Sequence, residues 1–240
     1  MKRKIAVIAV LTLTAATSAP HKVVRNTIGL DFSYQWPAEA AAIPALDARL
    51  YKEAKAKLAE AQNDALDDQA AAREQKREFH QHEFSMSWTM AGQTARLLSL
   101  QSQLGSFSGG AHPNTVYGAL LWDRRPNRQV NVSALFLQPD AFSALTRIRY
   151  CAALNTERRK RRQGEDLGGS FDQCPKFSDL AIAPADTNKD GRFDTIEFVA
   201  SPYVAGPYVE GEYEILVPVT SHLINAIRPE YRNSFARHRQ

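Results

Sequence analysis

Apolar and polar positions alternate along several stretches of the chain. Ile28, Leu30, Phe32 and Tyr34 fall on one face of residues 26–35, with Thr27, Asp31, Ser33 and Gln35 on the other. That period predicts a half-buried strand, ended by Trp36-Pro37. Phe84, Met86, Trp88 and Met90 alternate with Ser85, Ser87 and Thr89, and Leu98, Leu100 and Leu104 follow the Gly92-Gln93 turn. They predict a hairpin with one buried face. Val116, Gly118, Leu120 and Trp122 predict another strand, and Tyr213, Ile215 and Val217 the last. Between strands the period lengthens. Ile43, Leu46, Leu50, Ala54, Leu58, Ala61 and Ala65 predict one amphipathic helix from Glu39 to about Lys76, with a break near Asp67-Asp68. Its polar face mixes both signs and lacks bulky aromatics, which favours packing on a sheet over lying on a membrane. A second helix is expected over 140–162, with Pro139 suited to its first turn and Phe142, Leu145, Ile148, Cys151 and Leu154 as its buried stripe. The fold class expected is α+β: antiparallel sheets with a long N-terminal amphipathic helix and a second helix packed on them.

The first residues change the compartment. Lys2, Arg3 and Lys4 precede an apolar run from Ile5 to about Ala16, closed by Thr17, Ser18 and Ala19. This is the layout of a secretory signal peptide over 1–19, and the run is shorter than the roughly 20 residues a membrane span needs. The expected product is a single periplasmic or secreted module over 20–240, in halves of about 26–105 and 106–227, with no transmembrane segment after leader removal. Thirty Lys and Arg less the leader's three leaves 27 against 26 Asp and Glu. The basic balance therefore belongs to the leader, and a nucleic-acid role loses its support. In an oxidising compartment Cys151 and Cys174 are expected to form a disulfide, with two buried thiols as the alternative.

The densest group of metal-type ligands is Asp186-Thr187-Asn188-Lys189-Asp190-Gly191-Arg192-Phe193-Asp194-Thr195-Ile196-Glu197. It matches the calcium-loop pattern, with Asp186, Asn188, Asp190, Arg192 (through its carbonyl), Asp194 and Glu197 as ligands. Both flanks alternate as strands, whereas an EF-hand needs helices. The loop thus reads either as a Ca²⁺ staple or as a hairpin connection turned at Asp190-Gly191. An unbroken strand through Glu197 would point that carboxylate away from the loop.

Gly109 and Gly110 allow backbone conformations closed to other residues and place His112 as a candidate binding residue. A structural turn is the alternative. Tyr203 and Tyr208, in a Gly/Pro/Tyr-rich stretch, read either as a binding surface or as packing on a sheet edge. His80 and His82 lack a third metal ligand and read as a solvated strand start. The Arg158-Arg159-Lys160-Arg161-Arg162 run reads as a solvated helix end, or as a contact for an anionic partner.

The Gly109-Gly110-Ala111-His112 turn, the strand ending in Trp122-Asp123, and Val130-Asn131-Val132-Ser133-Ala134-Leu135-Phe136 resemble a domain-of-unknown-function family. It is the one found in the extracytoplasmic part of the RsiV anti-sigma factor and the accessory region of the PdaC polysaccharide deacetylase. Phe198, Pro202-Tyr203, Gly206 and Ile215-Leu216-Val217-Pro218 extend the resemblance over roughly 28–223. Phe107-Ser108 stands where relatives often have Tyr-Thr, and the calcium-like loop replaces a shorter turn. The resemblance implies helices packed on antiparallel sheets and a binding role at the cell envelope, with lysozyme a candidate partner because RsiV is a lysozyme receptor. Sigma binding and deacetylation are not expected to carry over. G-x-S-x-G, H-E-x-x-H and P-loop signatures are absent from the sequence. The expectation is a module that binds an envelope protein or glycan, with an envelope hydrolase acting on peptidoglycan or glycan as the alternative.

Overall fold

The computed structural model describes residues 21–239, so the expected leader lies outside the described residues. Six strands form one sheet in chain order: β1 (His21–Asn26), β2 (Leu30–Trp36), β3 (His82–Gln93), β4 (Leu97–Phe107), β5 (Asn114–Asp123) and β6 (Arg128–Val130). Helices α1 (Ala38–Ala41) and α2 (Pro44–Glu74) connect β2 to β3. The other elements are α3 (Ala141–Arg161), an antiparallel sheet of β7 (Ala181–Ala185), β8 (Thr195–Ala200) and β9 (Tyr213–Pro218), and short α4 (Ser221–Ala226) and α5 (Pro229–Arg232). The α+β class is as expected. The first sheet is mixed rather than antiparallel, because β2 and β3 run parallel with Leu30 beside His82 and Gln35 beside Ser87. A crossover helix returns the chain to the end where β2 began, and parallel pairing requires that return.

Strand alternation sorts two cores onto opposite faces of this sheet. Leu98, Leu100, Leu120 and Trp122 join Leu30, Phe32, Tyr34, Trp36 and the α2 stripe of Leu46, Leu50, Ala54 and Leu58. The neighbours Leu97 and Leu121 turn the other way, toward Phe142, Tyr150, Phe198 and Ile215 of α3 and the second sheet. Buried aromatics keep their polar tips satisfied: Trp88 Nε1 donates to Tyr34 Oη at 2.9 Å, and Trp36 Nε1 to Asp47 Oδ1 at 2.8 Å.

Several periodicity readings need correction. The expected turn at Gly92-Gln93 falls inside β3, and the chain turns after it, where Thr94 N donates to Leu97 O. The single helix expected from Glu39 is interrupted before Pro44, between α1 and α2. Helix α2 runs unbroken through Asp67-Asp68. Ile28 is 89% exposed, because β2 begins only at Leu30 and Ile28 sits in the β1–β2 turn. Ile148 is 81% exposed. The stripe that α3 buries is Phe142, Thr146, Tyr150, Leu154 and Arg158, a strict four-residue row hidden in the sequence by its two polar members. Thr146 is tolerated there because its hydroxyl donates to Phe142 O at 2.7 Å. The Cys151–Cys174 disulfide forms, with a Cα–Cα distance of 5.6 Å, and ties α3 to the segment entering β7.

Candidate functional site

Helix α2 has 31 residues and β2 only seven. At about 1.5 Å and 3.3 Å per residue, the helix outruns its strand by roughly 20 Å. The overhang makes a cleft of about 610 Å³ between Asp64 and Asp68 of α2, His82 and Glu83 of β3, and Ser108, Gly109 and His112 of the β4–β5 turn. His82 is buried against α2, not solvated as its sequence context suggested. Its ring stacks on Phe79, and its Nε2 lies 3.3 Å from Asp68 Oδ2. Arg77 also bonds Asp68 and, foremost among several contacts, holds that carboxyl below its usual range.

At the cleft mouth the chain turns through Gly109 (φ +90°) and Gly110 (φ +115°), values that L side chains rarely adopt. The turn presents His112 to solvent. Its ring stacks on Tyr208 with centroids 3.8 Å apart, its Nε2 lies 3.3 Å from Tyr203 Oη, and Tyr208 Oη donates to Pro113 O at 2.8 Å. Of the five binding candidates from the sequence, His112, Tyr203 and Tyr208 meet in one exposed patch, and Gly109 and Gly110 form the turn that leads to it. Tyr203 holds φ +70°, a costly conformation for a bulky residue that the surrounding loop must enforce.

The basic run provides that enforcement. The solvated-end reading holds for the exposed Arg159, Lys160 and Arg161 and fails for Arg158 and Arg162, which are only 3% and 9% exposed. Arg158 donates to Ala205 O at 2.9 Å and to Gln173 O at 3.0 Å. Arg162 grips Glu210 and Asp172, while Arg161 covers the Tyr213 ring and donates to the carbonyls of Glu210 and Glu212. Gly206 lets the loop close, since a Cβ there would lie 2.0 Å from Glu210 Oε2. At its other end Ser201 Oγ accepts from Tyr117 N at 2.9 Å, fixing the loop to β5. Alternate exposure within the basic run is what sequence reasoning missed. The i, i+4 spacing of Arg158 and Arg162, continuing the row from Leu154, was the available signal.

The calcium-like positions divide into separate environments. Asp186 accepts from the amides of Asp190 and Gly191, Asn188 from Asp190 N, and Asp190 from Arg192 N. The Arg192 side chain pairs with Asp190 at 3.1 Å. Asp194 is fully buried and is taken up by Thr187 and by His238 Nδ1 at 2.8 Å. Glu197 continues β8 between Ala183 and Leu216, turned toward Gln101 and Glu214. Burial and the neighbouring Glu214 push its carboxyl up to about 7. No group of three or more His, Cys, Asp or Glu able to hold a metal gathers among the described residues.

Residues 24–115 match the family model described as Deacetylase PdaC. This PdaC-type segment carries β2 to β4, helix α2, the cleft and the Gly-Gly-Ala-His turn, and leaves α3 and the second sheet outside it. Over nearly the whole chain the fold is that of solved DUF3298 family proteins. One from Pseudomonas aeruginosa PAO1 has a TM-score of 0.55 and 15% identity, covering 92% of this chain and 95% of that one. Another, from Bacteroides fragilis NCTC 9343, has a TM-score of 0.55 and 14% identity, covering 91% and 98%. No curated protein matches the chain. No helix of the described residues is long and apolar enough to cross a membrane.

Proposed function

We propose that the chain is an exported binding module that grips a cell-envelope protein or glycan through the patch of His112, Tyr203 and Tyr208 and the adjoining acidic cleft. The observation that carries this reading is the meeting of His112 with two tyrosines about 90 residues further along the chain. The three form an exposed stack in which one member is held in an unfavourable backbone conformation. Packing alone does not reward an exposed residue for such a conformation, and strain of this kind gathers at binding sites. Aromatic rings on an exposed loop supply large contact area at low entropic cost.

The test is retention on the immobilised mature domain of two defined probes, lysozyme and purified peptidoglycan sacculi, together with envelope extract. Specific retention by the wild type, lost in His112→Ala/Tyr208→Ala, supports the reading. Equal retention by wild type and variant, or turnover of peptidoglycan fragments by the purified domain, overturns it.

A further inference from the structure

Helix α2 brings Asp64 and Asp68 to the cleft wall four residues apart, on one face of the helix. Like charges at that spacing repel, and only one of them is offset. Asp68 is taken up by Arg77 and by His82 Nε2, while Asp64 has no ion pair among the described residues.

His82 is 8% exposed, yet it lines the cleft. Arg77 holds Asp68 in its ionised form, so the proton of the Asp68–His82 contact belongs to Nε2. In the neutral ring this leaves Nδ1 as a bare acceptor. Nδ1 has no hydrogen-bond partner among the described residues. A buried acceptor is costly until a donor reaches it.

The neighbouring side chains do not supply that donor. His112 gives its Nδ1–H to Pro113 O and receives Tyr203 Oη at Nε2. No Lys or Arg lines the cleft. Phe84 packs toward α2, so strand alternation turns the Glu83 side chain to the opposite face, beside Asp31. The charged wall of the cleft therefore consists of acceptors: Asp64, Asp68 and His82 Nδ1. Leu30, Phe84 and Phe107 provide apolar surface next to them. The acids and imidazoles do not converge closely enough for a metal ion.

We infer that the cleft receives a lysine or arginine side chain of a partner protein. Its aliphatic stem lies along Leu30, Phe84 and Phe107, and its head donates to Asp64 and to His82 Nδ1. A neutral sugar would satisfy the acceptors but leave the Asp64 charge covered and unpaired, whereas an ammonium or guanidinium neutralises it. This inference rests on the binding reading above and narrows it to a protein partner with an exposed basic residue.

The probe is a dansyl-labelled peptide of three arginines, titrated into the whole mature domain. Its three-citrulline counterpart is the uncharged isostere. The arginine peptide should bind at least about tenfold more tightly, the worth of one charge-assisted hydrogen bond. It should also move the imidazole nitrogen resonances of His82 and leave those of His21 and His238 in place. Asp64→Asn should weaken binding about tenfold, and Asp67→Asn, on the same helix but outside the cleft, should leave it unchanged. His82→Phe, which keeps a ring on Phe79 but removes both nitrogens, is the second variant and should weaken binding as well. Equal binding of the two peptides, equal weakening by Asp67→Asn, or unmoved His82 resonances overturns the inference. So does a glucosamine tetramer that binds through Asp64 more tightly than the peptide, which gives the cleft to a glycan amine. Lysozyme or sacculi retained alike by wild type and Asp64→Asn overturns this inference and leaves the His112 reading standing. Peptide binding through Asp64 with no envelope probe retained does the reverse.

Discussion

Arg162 closes on Glu210 from 48 residues away, with Nε 2.7 Å from Oε1 and Nη2 3.0 Å from Oε2. The pair is bidentate and nearly buried, with side-chain exposures of 5% and 12%. Removing one member leaves the other charge desolvated. We expect Arg162→Met to lower stability by about 3 kcal/mol in urea unfolding. We also expect it to free the 201–212 loop, seen as faster amide exchange around Tyr203 and Tyr208. Arg159→Met, on the exposed face of the same run, should change neither.

Glu197 gives stability a pH dependence. Its carboxyl is ordinary near 4.5 when unfolded and is raised to about 7 in the fold by burial and by Glu214. The folded chain therefore binds more protons between those values. Its contribution is full below about pH 4.5 and is lost as pH rises through 7. The loss should be about 1–2 kcal/mol, less than the full linkage because the pair is partly open to water. Glu197→Gln should flatten thermal unfolding temperatures between pH 5 and 8. Equal slopes for variant and wild type would show that the pair does not titrate as described.

Any response of the 186–194 loop to calcium is expected to run through Asp186, Asn188 and Asp190 alone. Asp186→Ala should abolish any rise in melting temperature at millimolar Ca²⁺, and Glu197→Gln should leave it intact. In chelator, Asp186→Ala should still cost about 1 kcal/mol, since the amides of Asp190 and Gly191 lose their acceptor. A calcium response that instead vanished with Glu197→Gln would contradict the separation of that residue from the loop.

Replacing Cys151 and Cys174 with serine should lower stability by about 3 kcal/mol, the value for closing a loop of this length. Reductant should shift the wild-type melting temperature and leave the double variant unchanged.

Much of this architecture was legible in the sequence wherever one face of an element is wet. Phe32 and Tyr34, the α2 row from Leu46 to Leu58, and Tyr213 to Val217 alternate with polar neighbours, and the pattern shows it. Pattern fails where polar residues are buried with partners. Thr146 and Arg158 occupy core positions of α3 because a backbone carbonyl receives the hydroxyl of one and two carbonyls receive the guanidinium of the other. His82 is similarly covered by Phe79 and Asp68. Strand direction is also invisible to alternation, so the parallel β2–β3 pairing could not be read from side-chain period. The candidate patch was half legible. Gly109, Gly110 and His112 stood out by residue type, and Tyr203 and Tyr208 by composition. Their meeting depended on buried arginines that looked like a solvated helix end.

The parallel placement of β2 beside β3 sets an order of assembly. β2 leaves the ribosome some 45 residues before the strand it must join, and the long helix has to form and swing back first. The β3–β4–β5 meander needs only near neighbours and can close early. The N-terminal hairpin is thus expected to be a late arrival on a sheet already built.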